Sequence, residues 1–181
     1  MRVSCYTNQP EAELFLNGRS LGKKSLAEGD GWRVTWEVPF AAGELRVSAC
    51  GAEDALVTSG PAEALRLLPD LNGCLPADGQ TVVQIEISLL DANGRAAARD
   101  EIVHCDLTGD GAILGIENGI PDDLTPYAER FRSTNGGLAI AYIRVGETPG
   151  DLTLTAWTKS GLRSSVVFRL WDPEAGAGKT E

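Results

Sequence analysis

Histidine, methionine and clustered cysteine are nearly absent from this chain of 181 residues: it carries one His, one Met and four scattered Cys. No CxxC joins Cys5, Cys50, Cys74 and Cys105, and His104 alone cannot complete the usual zinc sets. A Ser-His-Asp triad would have to use the same histidine. His104 sits mid-strand with parity opposite to Val103 and Cys105, which points it outward as a surface or interface side chain. GxSxG, P-loop and HExxH signatures are missing, and no cofactor is expected. Basic residues are also few, 16 Lys and Arg against 26 Asp and Glu, for a net charge of −10. That balance excludes nucleic acid and anionic membrane surfaces as partners. No apolar run is long enough to span a bilayer, and no signal peptide precedes the first strand. Met1 reads as an added start codon on a piece excised from something larger.

What is present is strand. Apolar residues make up 43% of the chain, enough for a packed core, and helical periodicity is nearly absent. Asn17-Gly18, between two alternating runs, predicts a hairpin with a type I′ turn. Leu16 should then face Arg19, and Leu14 should face Leu21. Trp32, Val34, Trp36 and Val38 alternate onto one face, as do Leu45, Val47 and Ala49. Cys5 shares parity with the inward Val3, whereas Cys50 shares it with the outward Arg46 and Ser48. A Cys5–Cys50 disulfide is therefore disfavoured, and four reduced thiols favour a cytoplasmic compartment.

A short strand near 55–58 closes this region, and Ser59-Gly60-Pro61 punctuates the chain. Beyond it, strands are expected near 64–68, 81–90, 101–107, 112–115, 138–145, 152–158 and 164–170. Ile85, Ile87 and Leu89 should face in, and Gln84, Glu86 and Ser88 out. The run 138–145 is apolar on both faces and reads as a central strand. The longest loop spans 117–136. Two all-β sandwich domains in tandem follow, 1–60 and 61–172, with a flexible tail over 173–181; one larger sandwich is the alternative.

Site candidates are sparse. Paired carboxylates for glycoside hydrolysis carry little signal among so many acids. Asp91-Ala92-Asn93-Gly94 opens like a calcium loop, but Arg95 occupies a ligand position, so a hairpin turn is the better reading. Asp106, Asp110, Glu117, Asp122 and Asp123 are a weaker calcium set. Sugar binding needs an exposed aromatic beside polar groups. Trp157, Tyr127 and Phe131, with Asn118, Arg130, Arg132 and Asn135 around them, meet that description. Cover of a contact between domains is the preferred role for these aromatics, and sugar stacking is the alternative.

Three segments of the first region carry a family resemblance: CYTN (5–8), ELFLNGRSLGKKS (13–25) and WEVPFAAGELRVSACG (36–51). They resemble the domain that follows the catalytic barrel in bacterial family 2 glycoside hydrolases, the β-galactosidase and β-glucuronidase relatives. The second region resembles the next, immunoglobulin-like domain of the same enzymes. Its matching pieces are ADGQTVVQIEISLLDANGR (77–95), LTGDGAILGIENGIPDD (107–123), RFRSTNGGLAIAYIR (130–144) and TPGDLTLTAWTKSGL (148–162). The resemblance implies two accessory β-sandwiches beside a retaining hydrolase barrel, which would be their partner. It carries over no catalytic residue, because the two glutamates of that family lie on a (β/α)₈ barrel of about 250 residues. Asp122-Asp123-Leu124-Thr125 also departs from the family, whose members often place a His-Glu stretch after the NGxP loop. A carbohydrate-binding module and a cell-surface immunoglobulin-like adhesin are the alternatives.

Overall fold

The computed structural model describes residues 1–97 and 99–175, so most of the expected tail lies outside the described residues. The chain is all-β and divides into two units, Met1–Thr58 and Ser59–Glu181.

The first unit holds β1 (Arg2–Tyr6), β2 (Glu11–Leu16), β3 (Arg19–Ser25), β4 (Arg33–Glu37), β5 (Glu44–Ala49) and β6 (Ala52–Val57). A single 3₁₀ turn, Leu26–Glu28, links β3 to β4 and is capped by the Ser25 hydroxyl. Strands β3–β2–β5–β6 form one antiparallel sheet, and β1 pairs with β4 in another. Asn17 (φ 51°) and Gly18 (φ 77°) both take the positive φ that a type I′ turn requires. Leu16 faces Arg19 as expected. Leu14 does not meet Leu21 alone, because a bulge sets both Leu21 and Gly22 against it. Gly22 has φ 106° there, and its carbonyl accepts the Trp36 indole N–H at 3.0 Å. Ala12, Leu14, Val34, Trp36, Val38 and Ala49 form the core, with Leu45, Val47 and Cys5 packed against it. Trp32 was expected on one face with Val34, Trp36 and Val38, which are buried, and is instead 61% exposed. It precedes the strand, where alternation no longer fixes direction, and it packs on Tyr6 at 5.2 Å.

The second unit holds β7 (Ala64–Pro69), β8 (Cys74–Pro76), β9 (Val82–Leu90), β10 (Ile102–Thr108), β11 (Gly111–Glu117), β12 (Phe131–Ser133), β13 (Leu138–Val145), β14 (Gly150–Thr158) and β15 (Arg163–Trp171). The sheets run β11–β13–β9–β7 and β12–β10–β14–β15–β8. If β7, β9, β10, β11, β13, β14 and β15 are lettered A to G, these are the D-E-B-A and C-F-G orders of an immunoglobulin sandwich. The added strands are β12 beside β10, and β8, which pairs parallel with β15.

Ile85, Ile87, Leu89, Ile116, Ile143, Leu152, Leu154 and Phe168 are fully buried between the sheets. Burial of a side chain such as Phe168 contributes about 1.5–3 kcal/mol. Three expectations are modified here. Ser88 keeps the outward parity of its strand but is completely buried, its hydroxyl donating to Glu86 at 2.5 Å beside Arg66. The 117–136 segment is not all loop, since Glu117 ends β11 and residues 131–133 form β12. The strand near 112–115 is longer, with a bulge at Leu114.

Candidate functional site

Alternation along β12 sorts the expected site residues into two groups. Phe131 faces outward, whereas Arg132 turns in and is only 3% exposed.

The inner group is built around that buried guanidinium. Arg132 donates through Nε to the Ile116 carbonyl at 2.8 Å and ion-pairs with Asp123 at 3.1 Å. Its guanidinium lies 5.3 Å from the Tyr127 ring centroid. Asn118 donates to Asp123 at 2.8 Å and to the Ser133 carbonyl at 2.9 Å, and accepts the Ile120 N–H at 3.0 Å. Asn135 in turn donates to the Asn118 carbonyl at 3.2 Å. Hydrogen bonds from Thr125 first, then Arg132 and Asn118, hold the Asp123 carboxyl far below the usual carboxylate range. Arg132, Asp123 and the Asn118 and Asn135 amides are thus tied to one another and to the Ile116 and Ser133 carbonyls, which holds the 117–136 segment to β11 and β12, whereas Tyr127 is 65% exposed and contributes a ring contact. A recess of about 230 Å³ beside them is lined by Asn118, Ile120, Asp123, Tyr127 and Arg132.

The outer group lies on the exposed face of the five-stranded sheet. Register sets His104 opposite Phe131 on one side and Trp157 on the other, and sets Trp157 opposite Arg163. The His104 ring is 5.8 Å from Phe131, and 5.6 Å from Trp157 with the two planes only 15° apart. Next along the strands, Arg130 bridges to Asp106 at 2.8 Å, and the Thr155 and Ser165 hydroxyls meet at 2.9 Å. Asp106, Thr108, Thr155, Trp157 and Arg163 line a shallow recess of about 220 Å³. Sequence parity placed Trp157 and His104 outward but missed Arg163, whose position depends on the β14–β15 register.

The carboxylates considered for calcium do not converge. Asp106 pairs with Arg130, Asp110 accepts the N–H groups of Glu147 and Thr148, and Glu117 accepts the Tyr142 hydroxyl at 2.7 Å. Asp91 accepts N–H groups of Gly60, Asn93 and Arg95, as a turn carboxylate does. Among the described residues no three His, Cys, Asp or Glu side chains are grouped to hold an ion.

In the first unit a groove of about 350 Å³ runs between β1 and β6, lined by Val3, Cys5, Leu14, Val47 and Leu56. It is mainly apolar and offers no arrangement of nucleophile and base.

Comparison with known proteins places this geometry in a lineage. Residues 65–167 match the profile of glycoside hydrolase family 2 C-terminal domain 5, and residues 1–58 match a domain of unknown function, DUF4982. A curated relative, beta-galactosidase BoGH2A of Bacteroides ovatus, is 34% identical over 170 residues, which is 90% of this chain. The chain spans about a fifth (20%) of that relative's length. A solved glycosyl hydrolase family 2 member from Bacteroides cellulosilyticus superposes with a TM-score of 0.85 at 29% identity, covering 94% of this chain and 23% of that one. A beta-glycosidase from Bacteroides vulgatus shares the fold, with a TM-score of 0.75 at 24% identity over 93% of this chain and 22% of its own.

Proposed function

The chain belongs to the glycoside hydrolase family 2 C-terminal domain 5 family, and from that premise we propose that it is a non-catalytic accessory region of a larger enzyme. That enzyme would carry out retaining hydrolysis of a β-galactoside or β-glucuronide on a separate catalytic barrel. The two sandwiches would serve it structurally, packing against the barrel or a neighbouring subunit and shaping access to its cleft. The observation that carries this reading is the all-β composition of both units. A (β/α)₈ barrel takes about 250 residues of alternating strand and helix, and neither sandwich supplies any part of one. Among the described residues, the carboxylates Asp106, Asp110, Glu117 and Asp123 of the second unit are each engaged by an arginine, a hydroxyl or backbone N–H groups.

The test is direct. Purified chain incubated with p-nitrophenyl β-galactoside and p-nitrophenyl β-glucuronide should release nitrophenol no faster than buffer. Turnover that disappears on a single substitution within residues 1–175 would overturn the accessory reading.

A further inference from the structure

We propose that the outer face of the five-stranded sheet in the second unit is a binding site for a neutral glycan, centred on Trp157. This goes beyond the accessory role and does not depend on what the units pack against.

Three observations converge on it. The first is the ring row. Phe131, His104 and Trp157 come from three adjacent strands and sit side by side, with centroids 5.8 and 5.6 Å apart. The imidazole lies nearly parallel to the indole, so it supports Trp157 in one orientation and leaves the indole forming one wall of the recess. A pyranose presents a patch of C–H bonds that carry partial positive charge, and such a patch is attracted to the negative face of an aromatic ring.

The second is the polar set around the ring. The recess that Trp157 walls is shared with Asp106, Thr155 and Arg163. The Arg163 guanidinium has no ion-pair partner among the described residues, although it stands opposite Trp157 in the ladder. A carboxylate that accepts, a guanidinium that donates and a hydroxyl that does both are the groups that read vicinal sugar hydroxyls. Asp106 and Arg163 place both signs of charge in the recess, and the net charge of −10 on the chain disfavours approach of a polyanionic uronate, so a neutral sugar fits better.

The third is what this face lacks. A surface built to cover a stable protein contact has an apolar centre and is depleted in charge there. Here the outward positions of β10, β14 and β15 are mostly Thr, Ser, Asp and Arg, and beside the ring row the exposed apolar side chains are Ile102, Val167 and Trp171. Rings with hydrogen-bonding side chains and few aliphatics favour sugar over another protein domain.

The experiment is calorimetric titration of the chain with soluble β-1,4-galactan, xyloglucan and arabinoxylan, with polygalacturonate as the charged control. Saturable binding to at least one neutral glycan is expected. Trp157→Ala should weaken it about tenfold or more, and Trp157→Phe should restore part of it. Arg163→Gln should weaken binding severalfold while leaving the fold intact by circular dichroism. Tyr127→Ala, in the inner group, should leave affinity unchanged. Absence of heat with all three neutral glycans would overturn the proposal, as would stronger binding to polygalacturonate. So would binding that survives both Trp157→Ala and Arg163→Gln in folded protein. None of these results alters the hydrolase assay, so the two readings fail separately.

Discussion

Individual side chains differ most in how far burial has changed their chemistry. Cys105 is 1% exposed between the sheets of the second unit, and desolvation pushes its thiol up to about 12. Cys5 is half-buried and also raised, by desolvation first and then by the charge of Asp54. Cys50 and Cys74 are exposed. Thiolate is the reactive form, so at pH 8 a disulfide reagent should modify Cys50 and Cys74 quickly, Cys5 slowly, and Cys105 only after denaturation. Rapid modification of Cys105 in folded protein would contradict its place in the core. Asp123 shows the opposite effect. Its folded pKa is depressed by bonds from Thr125, Arg132 and Asn118. A carboxyl shifted down contributes its full stability above the unfolded value, about 3.9 for Asp, and loses it as pH falls through the folded value. The second unit should therefore lose stability as pH drops below about 4, and Asp123→Asn should flatten that dependence while lowering stability near neutral pH. An acid profile identical in the two proteins would show that the Asp123–Arg132 pair is not a source of acid sensitivity.

Turns and registers, at the scale of elements, explain what the sequence revealed and what it hid. Asn17 holds positive φ while its side chain donates to the Ala42 carbonyl at 3.0 Å and accepts the Glu44 N–H at 2.9 Å. The same hairpin tip therefore ties β2–β3 to the start of β5. Asn17→Ala should cost about 2 kcal/mol through two lost hydrogen bonds and a strained φ, and Asn17→Gly should cost less because it relieves the strain. Equal losses in urea unfolding would rule out the conformational part. Gly43 is equally constrained, since a Cβ there would fall 1.8 Å from Asn17 Oδ1. The Asn-Gly signal made this turn legible, and two-residue alternation made Ile85, Ile87 and Leu89 legible as core. Alternation failed where its premise failed. Trp32 precedes its strand, and the bulge between Glu13 and Phe15 breaks the ladder that would have set Leu14 against Leu21 alone. Ser88 follows its strand's parity toward Arg66 and Glu86, but those long side chains cover it. Strand β12 has three residues and a buried arginine at its centre, which reads as polar loop until Asp123 and the Ile116 carbonyl are placed beside it. The ring row was hidden for a different reason: parity within one strand assigns a face, but only the pairing of β10 with both β12 and β14 brings Phe131, His104 and Trp157 together.

Across the whole molecule, the cores of the two units are unequal, and that inequality has a measurable consequence. The first unit buries Ala12, Leu14, Val34, Trp36, Val38 and Ala49, and one of its two sheets has only two strands. Its β6 is exposed along its full length, with Leu56 70% exposed. The second unit closes nine strands around a much larger cluster that includes Ile85, Ile143, Leu154 and Phe168. Small domains bury a smaller fraction of their surface and are correspondingly marginal. Each cluster draws its residues from one unit alone, so cavities in the two should act independently. Thermal unfolding should then show two transitions, the lower one belonging to the first unit. Leu14→Ala, costing about 2–5 kcal/mol, should move only the lower transition, and Phe168→Ala, costing about 3–5 kcal/mol, only the upper. If either substitution shifts both transitions together, or the wild-type chain melts in one step by calorimetry and fluorescence alike, the two sandwiches form a single cooperative unit. An independent second unit would also let the glycan titration be repeated after the first has melted, when Trp157, His104 and Arg163 should still bind.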